Sequence, residues 1–128
     1  MSETIELRVH FTRQQLVRYA GASGDFNHIH FSDHFATKLG LDGVLAHGML
    51  TMGTALRVVT DWAGDPARVE ECSFRFAKPV PVPDDDDGAE VVFTGKVADD
   101  GEGPIQVALV AMCGDLQVGK GKASVRRA

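Results

Sequence analysis

The sequence predicts an α+β domain in which a mostly antiparallel sheet wraps one long helix. Three observations carry this. Val44 to Trp62 is the longest stretch with apolar residues at three-or-four spacing. Four alternating, strand-like segments follow it, punctuated by glycine and proline. Strands therefore gather after helices, which argues for an α+β domain with a mostly antiparallel sheet. At 128 residues the chain is expected to form one domain, long enough to bury a core.

The elements follow in order. Ile5, Leu7, Val9 and Phe11 alternate with Glu6, Arg8 and His10, the pattern of a half-buried strand. Thr12 opens a helix, with Gln15 at capping-box spacing. Leu16, Tyr19 and Ala20 share one face of it, and Tyr19 reads as core. Gly21 and Gly24 end this helix. A loop runs from Gly24 to Phe31. Ser32 caps a short helix, Asp33 to Leu39, which Gly40 stops.

In the long segment, Leu45, Met49, Met52, Leu56 and Val59 are the expected core stripe. If all 19 residues from Val44 to Trp62 are helical, the rod is about 29 Å long. Gly64-Asp65-Pro66 ends it. Strands are then expected over Val69 to Val80, Ala89 to Ala98, Ile105 to Cys113 and Leu116 to Val125. Asp84 to Asp87 with Gly88 reads as a solvated turn. One helix cannot cover both faces of such a sheet, so the domain is expected to pair with a second one.

Composition limits the function classes. A net charge of −5 argues against a nucleic-acid-binding surface. The cations are nonetheless clustered: Lys120, Lys122, Arg126 and Arg127 crowd the C-terminus, while Arg57 and Arg68 flank the long helix. That cluster could receive an acidic partner. No apolar run has the length of a membrane span, and the first residues lack the basic start and apolar core of a signal peptide. Cys72 and Cys113 sit in apolar, strand-like runs and read as buried free thiols, which fits a reducing cytoplasm.

The chemistry is concentrated in Gly24-Asp25-Phe26-Asn27-His28-Ile29-His30. Asp25 and His30 lie five residues apart on a loop, where a carboxylate and an imidazole can hold one water between them. Imidazole has the intrinsic pKa for general acid–base work near neutral pH. Asn27 can brace the loop. Seventeen residues after His30 comes Ala46-His47-Gly48-Met49-Leu50, at the head of the long helix. Gly48 has no side chain, and an N–H at a helix start points outward toward negative charge. An acid, a base and an oxyanion donor suit proton transfer beside a thioester or similar carbonyl. Two other readings stay open on the residues alone. One is that the loop is a structural turn alone. Alternatively, His28, His30 and His34 with Asp25 and Asp33 supply enough ligands for zinc or iron.

Tyr19-Ala20-Gly21-Ala22-Ser23-Gly24-Asp25-Phe26-Asn27-His28-Ile29-His30, followed by Ala36, resembles the hydratase-2 motif of MaoC-like (R)-specific enoyl hydratases and dehydratases. Ala46-His47-Gly48-Met49-Leu50 resembles the second signature of that family. The likeness continues through Asp61 to Pro66, Arg75 to Val80 and Val82 to Asp86. The extended pattern looks like the actinobacterial type II fatty-acid-synthase (3R)-hydroxyacyl-ACP dehydratases, in particular their catalytic beta subunit.

The resemblance implies a hot-dog fold, an antiparallel sheet wrapped round a long central helix. It implies Asp25 and His30 as the catalytic pair and the Gly48 N–H as the group that polarises the thioester carbonyl. Asn27 and His47 take supporting roles, His47 at the helix start. No cofactor and no metal are implied. The implied reaction is reversible dehydration of a (3R)-hydroxyacyl thioester, on acyl-carrier protein or coenzyme A, to the trans-2-enoyl thioester. The implied assembly is a homodimer, or a heterodimer with a second hot-dog subunit. Two alternatives accompany it: a homodimeric (R)-specific enoyl-CoA hydratase, and a non-catalytic acyl-binding subunit. The sequence departs from the family twice. His28 stands where the family usually has proline, and Leu56 stands where some relatives carry a serine on the central helix.

Overall fold

The computed structural model describes residues 2–128. Its elements are β1 (Ser2–Phe11), α1 (Arg13–Ser23), a 3₁₀ turn (His28–His30), α2 (Asp33–Lys38) and α3 (Gly48–Ala63). A second 3₁₀ turn (Pro66–Arg68) leads to β2 (Val69–Phe76), β3 (Ala89–Ala98), β4 (Ile105–Cys113) and β5 (Leu116–Val125). All five strands form one antiparallel sheet in the order β1-β3-β4-β5-β2.

The period-2 pattern fixes which face meets α3. Ile5, Leu7 and Val9 of β1 stand opposite Gly95, Phe93 and Val91 of β3. Val107, Leu109 and Ala111 of β4 stand opposite Ala123, Gly121 and Gly119 of β5. On α3 the buried side chains are Thr51, Thr54, Ala55, Val58 and Val59. Val58 and Val59 are almost wholly excluded from water, which stabilises the fold by about 1.5–3 kcal/mol per side chain. Gly95 is where the helix seats: a Cβ built there would lie 2.9 Å from Val58 Cγ1. The sheet can approach α3 closely only because that side chain is missing.

Several sequence expectations need correction. The long helix starts at Gly48, not Val44, because the backbone of Val44 to Ala46 is committed elsewhere. The Leu45 N–H donates to Ile29 O at 3.0 Å, and the Ala46 N–H to Val80 O at 2.9 Å. The Val82 N–H in turn donates to Val44 O at 2.9 Å. An extended segment stitched on both sides cannot also be helical. The core stripe is rotated as well, since Met49 is exposed and the threonines at 51 and 54 are buried. Each threonine satisfies its hydroxyl on the carbonyl four residues earlier, His47 O for Thr51 and Leu50 O for Thr54.

Helix α1 runs through Gly21 and ends at Gly24, whose φ of 77° is the left-handed cap position. β2 stops at Phe76 instead of continuing to Val80. Beyond it the N–H groups of Ala77 and Lys78 donate to Val118 O, and three prolines remove further donors. Cys72 is exposed on this edge strand and Cys113 is half-buried; both thiols are free. β2 is exposed along most of its length, so the expectation that Cys72 is buried fails for want of anything packed over the sheet edge. No helix among the described residues is long and apolar enough to cross a membrane.

Candidate active site

The Asp25 loop is built by short-range hydrogen bonds that its residue types dictate. The Asp25 N–H donates to Ser23 Oγ at 3.1 Å. Asp25 Oδ1 accepts the Asn27 N–H at 3.2 Å, and Asn27 Oδ1 accepts the Ile29 N–H at 3.1 Å. These are successive Asx turns, in which a short polar side chain substitutes for a backbone acceptor. They curl the chain into the 3₁₀ turn that presents His30. Asn27 therefore braces the loop, as its type suggests. Beyond the turn, Arg13 anchors the start of α2. Its guanidinium donates to Val82 O and to Asp33 Oδ1, and Asp33 Oδ1 also accepts the Val44 N–H. The Arg13 bond and the Val44 amide hold the Asp33 carboxyl below the usual carboxylate range.

His30 is buried and its protonation pattern is set by one contact. Nδ1 lies 2.8 Å from Leu45 O. A carbonyl oxygen only accepts, so Nδ1 carries the proton and donates. In the neutral ring the free lone pair is then on Nε2, which faces Asp25 Oδ2 at 3.9 Å. That gap is too long for a direct hydrogen bond and suits one bridging oxygen. The Asp25 carboxylate is half-exposed, so the gap opens to solvent.

His47 joins these two. Its ring is 1% exposed and stacks on His30 with centroids 3.9 Å apart. Nε2 lies 3.3 Å from Asp25 O and must donate to it, while Nδ1 is buried without a partner. Tyr19 packs edge-on against the same ring at 4.7 Å. Tyr19 is half-buried and supports His47, a role its reading as core missed. Burial and the neighbouring His30 push the His47 pKa below its ordinary value, partly offset by the bond to Asp25.

Gly48 follows His47 directly and opens α3, where first-turn N–H groups have no intrahelical acceptor. A Cβ at Gly48 would stand 3.3 Å from Phe76 Cε1. Beside it lies a groove of about 320 Å³ lined by Ala46, Gly48, Thr51, Phe76, Lys78 and Val118, among others. Thr51 and Phe76 were not singled out from the sequence as site residues; their place follows from tertiary packing alone. The hydroxyl of Thr54 is engaged with Leu50 O at 2.7 Å, and Leu56 is half-buried.

The five-residue metal set does not assemble. His28 stacks on Phe35 at 4.2 Å, His34 packs edge-on against Phe35 and Asp33 is held by Arg13. The loop is also more open than its apolar residues suggest, with Phe26 and Phe31 exposed. A different trio, Asp25, His30 and His47, brings ligand atoms within 4.8 Å of one another. Its two imidazoles lie only 21° from parallel, so their donor directions run side by side rather than converging on a tetrahedral centre.

The family described as "MaoC like domain" matches residues 2–110. A solved structure named "MaoC-like dehydratase" is 32% identical with a TM-score of 0.92, over all of this chain and 40% of that one. The C-terminally truncated HadBC (3R-hydroxyacyl-ACP dehydratase) complex of Mycobacterium tuberculosis shares the fold, with a TM-score of 0.73 at 17% identity over 96% of this chain and 94% of that one. The fatty acid synthase subunit beta of Saccharomyces cerevisiae is 43% identical over 47 residues, which is 37% of this chain and 2% of that protein. The chain thus spans a small fraction of that curated relative and under half of the first solved structure. A match over most of the length, on a five-stranded antiparallel sheet packed against one central helix, places this chain in the MaoC-like family with its hot-dog fold.

Proposed function

We propose that the protein interconverts a (3R)-hydroxyacyl thioester and its trans-2-enoyl thioester by removing or adding water. The observation that carries this reading is the 3.9 Å gap between His30 Nε2 and Asp25 Oδ2, with Leu45 O fixing the proton on Nδ1. A neutral acceptor nitrogen and a carboxylate then face one small oxygen. Membership of the MaoC-like family supports the reaction class.

In the hydration direction a water sits in the gap, hydrogen-bonded to both groups. Its oxygen attacks C3 as Nε2 takes one of its protons. The electron pair of the C2=C3 bond moves toward the thioester carbonyl, whose oxygen gains negative charge. The Gly48 N–H meets that oxygen, aided by the positive end of α3. The proton held by the Asp25–His30 pair then passes to C2, and both groups return to their starting state. Dehydration runs the same steps backward: C2–H and C3–O bonds break, and water leaves. The groove beside Gly48 supplies apolar wall for the acyl chain.

The physiological setting we favour is fatty-acid elongation, with the site completed by a second hot-dog subunit. The exposed Phe26, Phe31 and Met49 are apolar surface that such a subunit would cover. The test is loss of enoyl absorbance from a crotonyl thioester. Asp25→Asn and His30→Ala should each lower kcat by about 10²–10⁴-fold, the usual range for acid–base groups. Full activity in both variants would refute the assignment. Activity lost to a chelator would replace it with a metal mechanism.

A further inference from the structure

The face of the sheet turned away from α3 carries a concentrated positive field at its β5–β2 end. The register sets Arg75 directly opposite Lys120, and Ser73 opposite Lys122. Across β5, Lys122 stands opposite Ala108, which in turn stands opposite Lys96. Register partners share a face, and Arg75 alternates with Phe74 and Phe76, which lie on the helix side. Lys96, Lys120, Lys122 and Arg75 therefore all project from the outer face, and all four are exposed. From β3 to β2 is three strand spacings, roughly 14 Å.

None of the ion pairs among the described residues includes any of the four. Like charges directly opposite each other destabilise a sheet, yet Arg75 faces Lys120. The chain as a whole is acidic, at −5, so the field is a local concentration against the overall balance. Glu71, opposite Ser124, borders it at one side, and Glu6, opposite Thr94 and diagonal to Lys96, at the other. Arg75 also leads directly into Phe76, Ala77 and Lys78, and both Phe76 and Lys78 line the groove beside Gly48. The field adjoins the candidate site round the end of β2.

We propose that Lys96, Lys120, Lys122 and Arg75 form the docking surface for an acidic acyl-carrier protein that delivers its thioester into the groove past Lys78 and Phe76. This rests on the thioester reading above and names its carrier. The extent of the field decides the source of negative charge. The charge of a coenzyme A thioester is confined to one diphosphate and one 3′-phosphate at the adenosine end of the carrier. A field three strand spacings wide complements the acidic surface of a protein, and such a surface would steer association by long-range attraction.

The test is titration of unacylated holo-acyl-carrier protein into the full chain at low and high salt. The wild type should bind at low salt and weaken as salt rises. Lys120→Glu should weaken binding about tenfold, while Arg18→Glu on α1 should leave it unchanged. Lys120→Glu should also raise Tm by roughly 1–4 °C, because Arg75 gains an opposite charge across the ladder. Weaker docking in a more stable fold separates a lost surface from damage. Hydration of crotonyl-N-acetylcysteamine, an uncharged thioester, should be the same in wild type and Lys120→Glu. Absence of carrier binding at low salt would overturn the proposal, as would equal weakening by Lys120→Glu and Arg18→Glu. Carrier binding that depends on Lys120, in a protein that hydrates no thioester, would keep the docking surface and remove the catalytic reading.

Discussion

The imidazoles of His30 and His47 lie nearly flat on each other, 3.9 Å between centroids and 21° from parallel. Two stacked imidazoles this close do not both carry charge. Burial and the adjacent His30 push the His47 pKa down, which favours the neutral ring at His47. The bond from His47 Nε2 to Asp25 O ties the carboxylate's own backbone to the residue before Gly48. Asp25, His30 and Gly48 are thus referenced to one rigid ring.

That tie predicts a split between two substitutions. His47→Phe keeps a flat ring against His30 but loses the N–H. His47→Gln loses the ring but keeps an N–H donor within reach of Asp25 O. His47→Phe should lower kcat about tenfold to a hundredfold, the scale of a small misplacement of reacting groups, with KM little changed. His47→Gln should retain more of the activity. Steady-state kinetics on both, with melting curves to confirm folding, decide it. Equal losses in the two would show that stacking, not the hydrogen bond, positions the site.

The same residue sets a pH dependence of stability. The folded pKa of His47 is lowered, so near pH 6.5 and below the unfolded chain binds a proton that the folded chain refuses. Stability from this group is complete above the unfolded pKa of about 6.5 and falls as pH drops through the lower folded pKa. Its slope cannot exceed about 1.4 kcal/mol per pH unit. Urea unfolding at stepped pH between neutral and mildly acidic should show this decline in the wild type and a flatter profile in His47→Gln. Identical profiles would mean His47 titrates normally.

His28 in place of the family's proline is a second departure with a structural answer. Asn27 sits at φ −60° and ψ 129°, the extended conformation that a following proline requires. His28 is the first residue of the 3₁₀ turn, where a missing N–H costs nothing. The histidine instead stacks on Phe35, with planes 17° from parallel. His28→Pro should gain about 0.4–1 kcal/mol from the stiffer unfolded chain and lose about 0.5–1.5 kcal/mol of ring stacking. Net stability should change by less than about 1 kcal/mol, with activity retained. A tenfold fall in kcat would show instead that the His28 ring acts in the site.

Much of this was legible in the residues. The bounds of β3, β4 and β5 match their alternating segments because glycine turns punctuate a clean period of two. The start of α3 was not legible. Val44-Leu45-Ala46 is apolar enough for either helix or strand, and the hydrogen bonds to residues 29, 80 and 82 that decide it are long-range. The Asp25 loop declares itself through local Asx chemistry. The stacking of His47 and the Phe76 wall depend on segments far apart in sequence, where no spacing rule reaches.

Gly48 and Phe76 offer the sharpest test of that wall. A methyl group at Gly48 would come within 3.3 Å of Phe76 Cε1 and 3.4 Å of Cζ. Phe76 is 48% exposed, so its ring can swing aside without disturbing the core. Gly48→Ala should therefore fold normally and keep its N–H. It should nonetheless lose about tenfold to a hundredfold in kcat/KM, because either the methyl or the displaced ring fills the approach to that N–H. Phe76→Leu removes the obstacle and should have a small effect alone. Combined with Gly48→Ala it should recover part of the loss, giving a coupling energy of at least about 0.5 kcal/mol in a double-mutant cycle. Simple additivity would place the groove's wall somewhere other than Phe76.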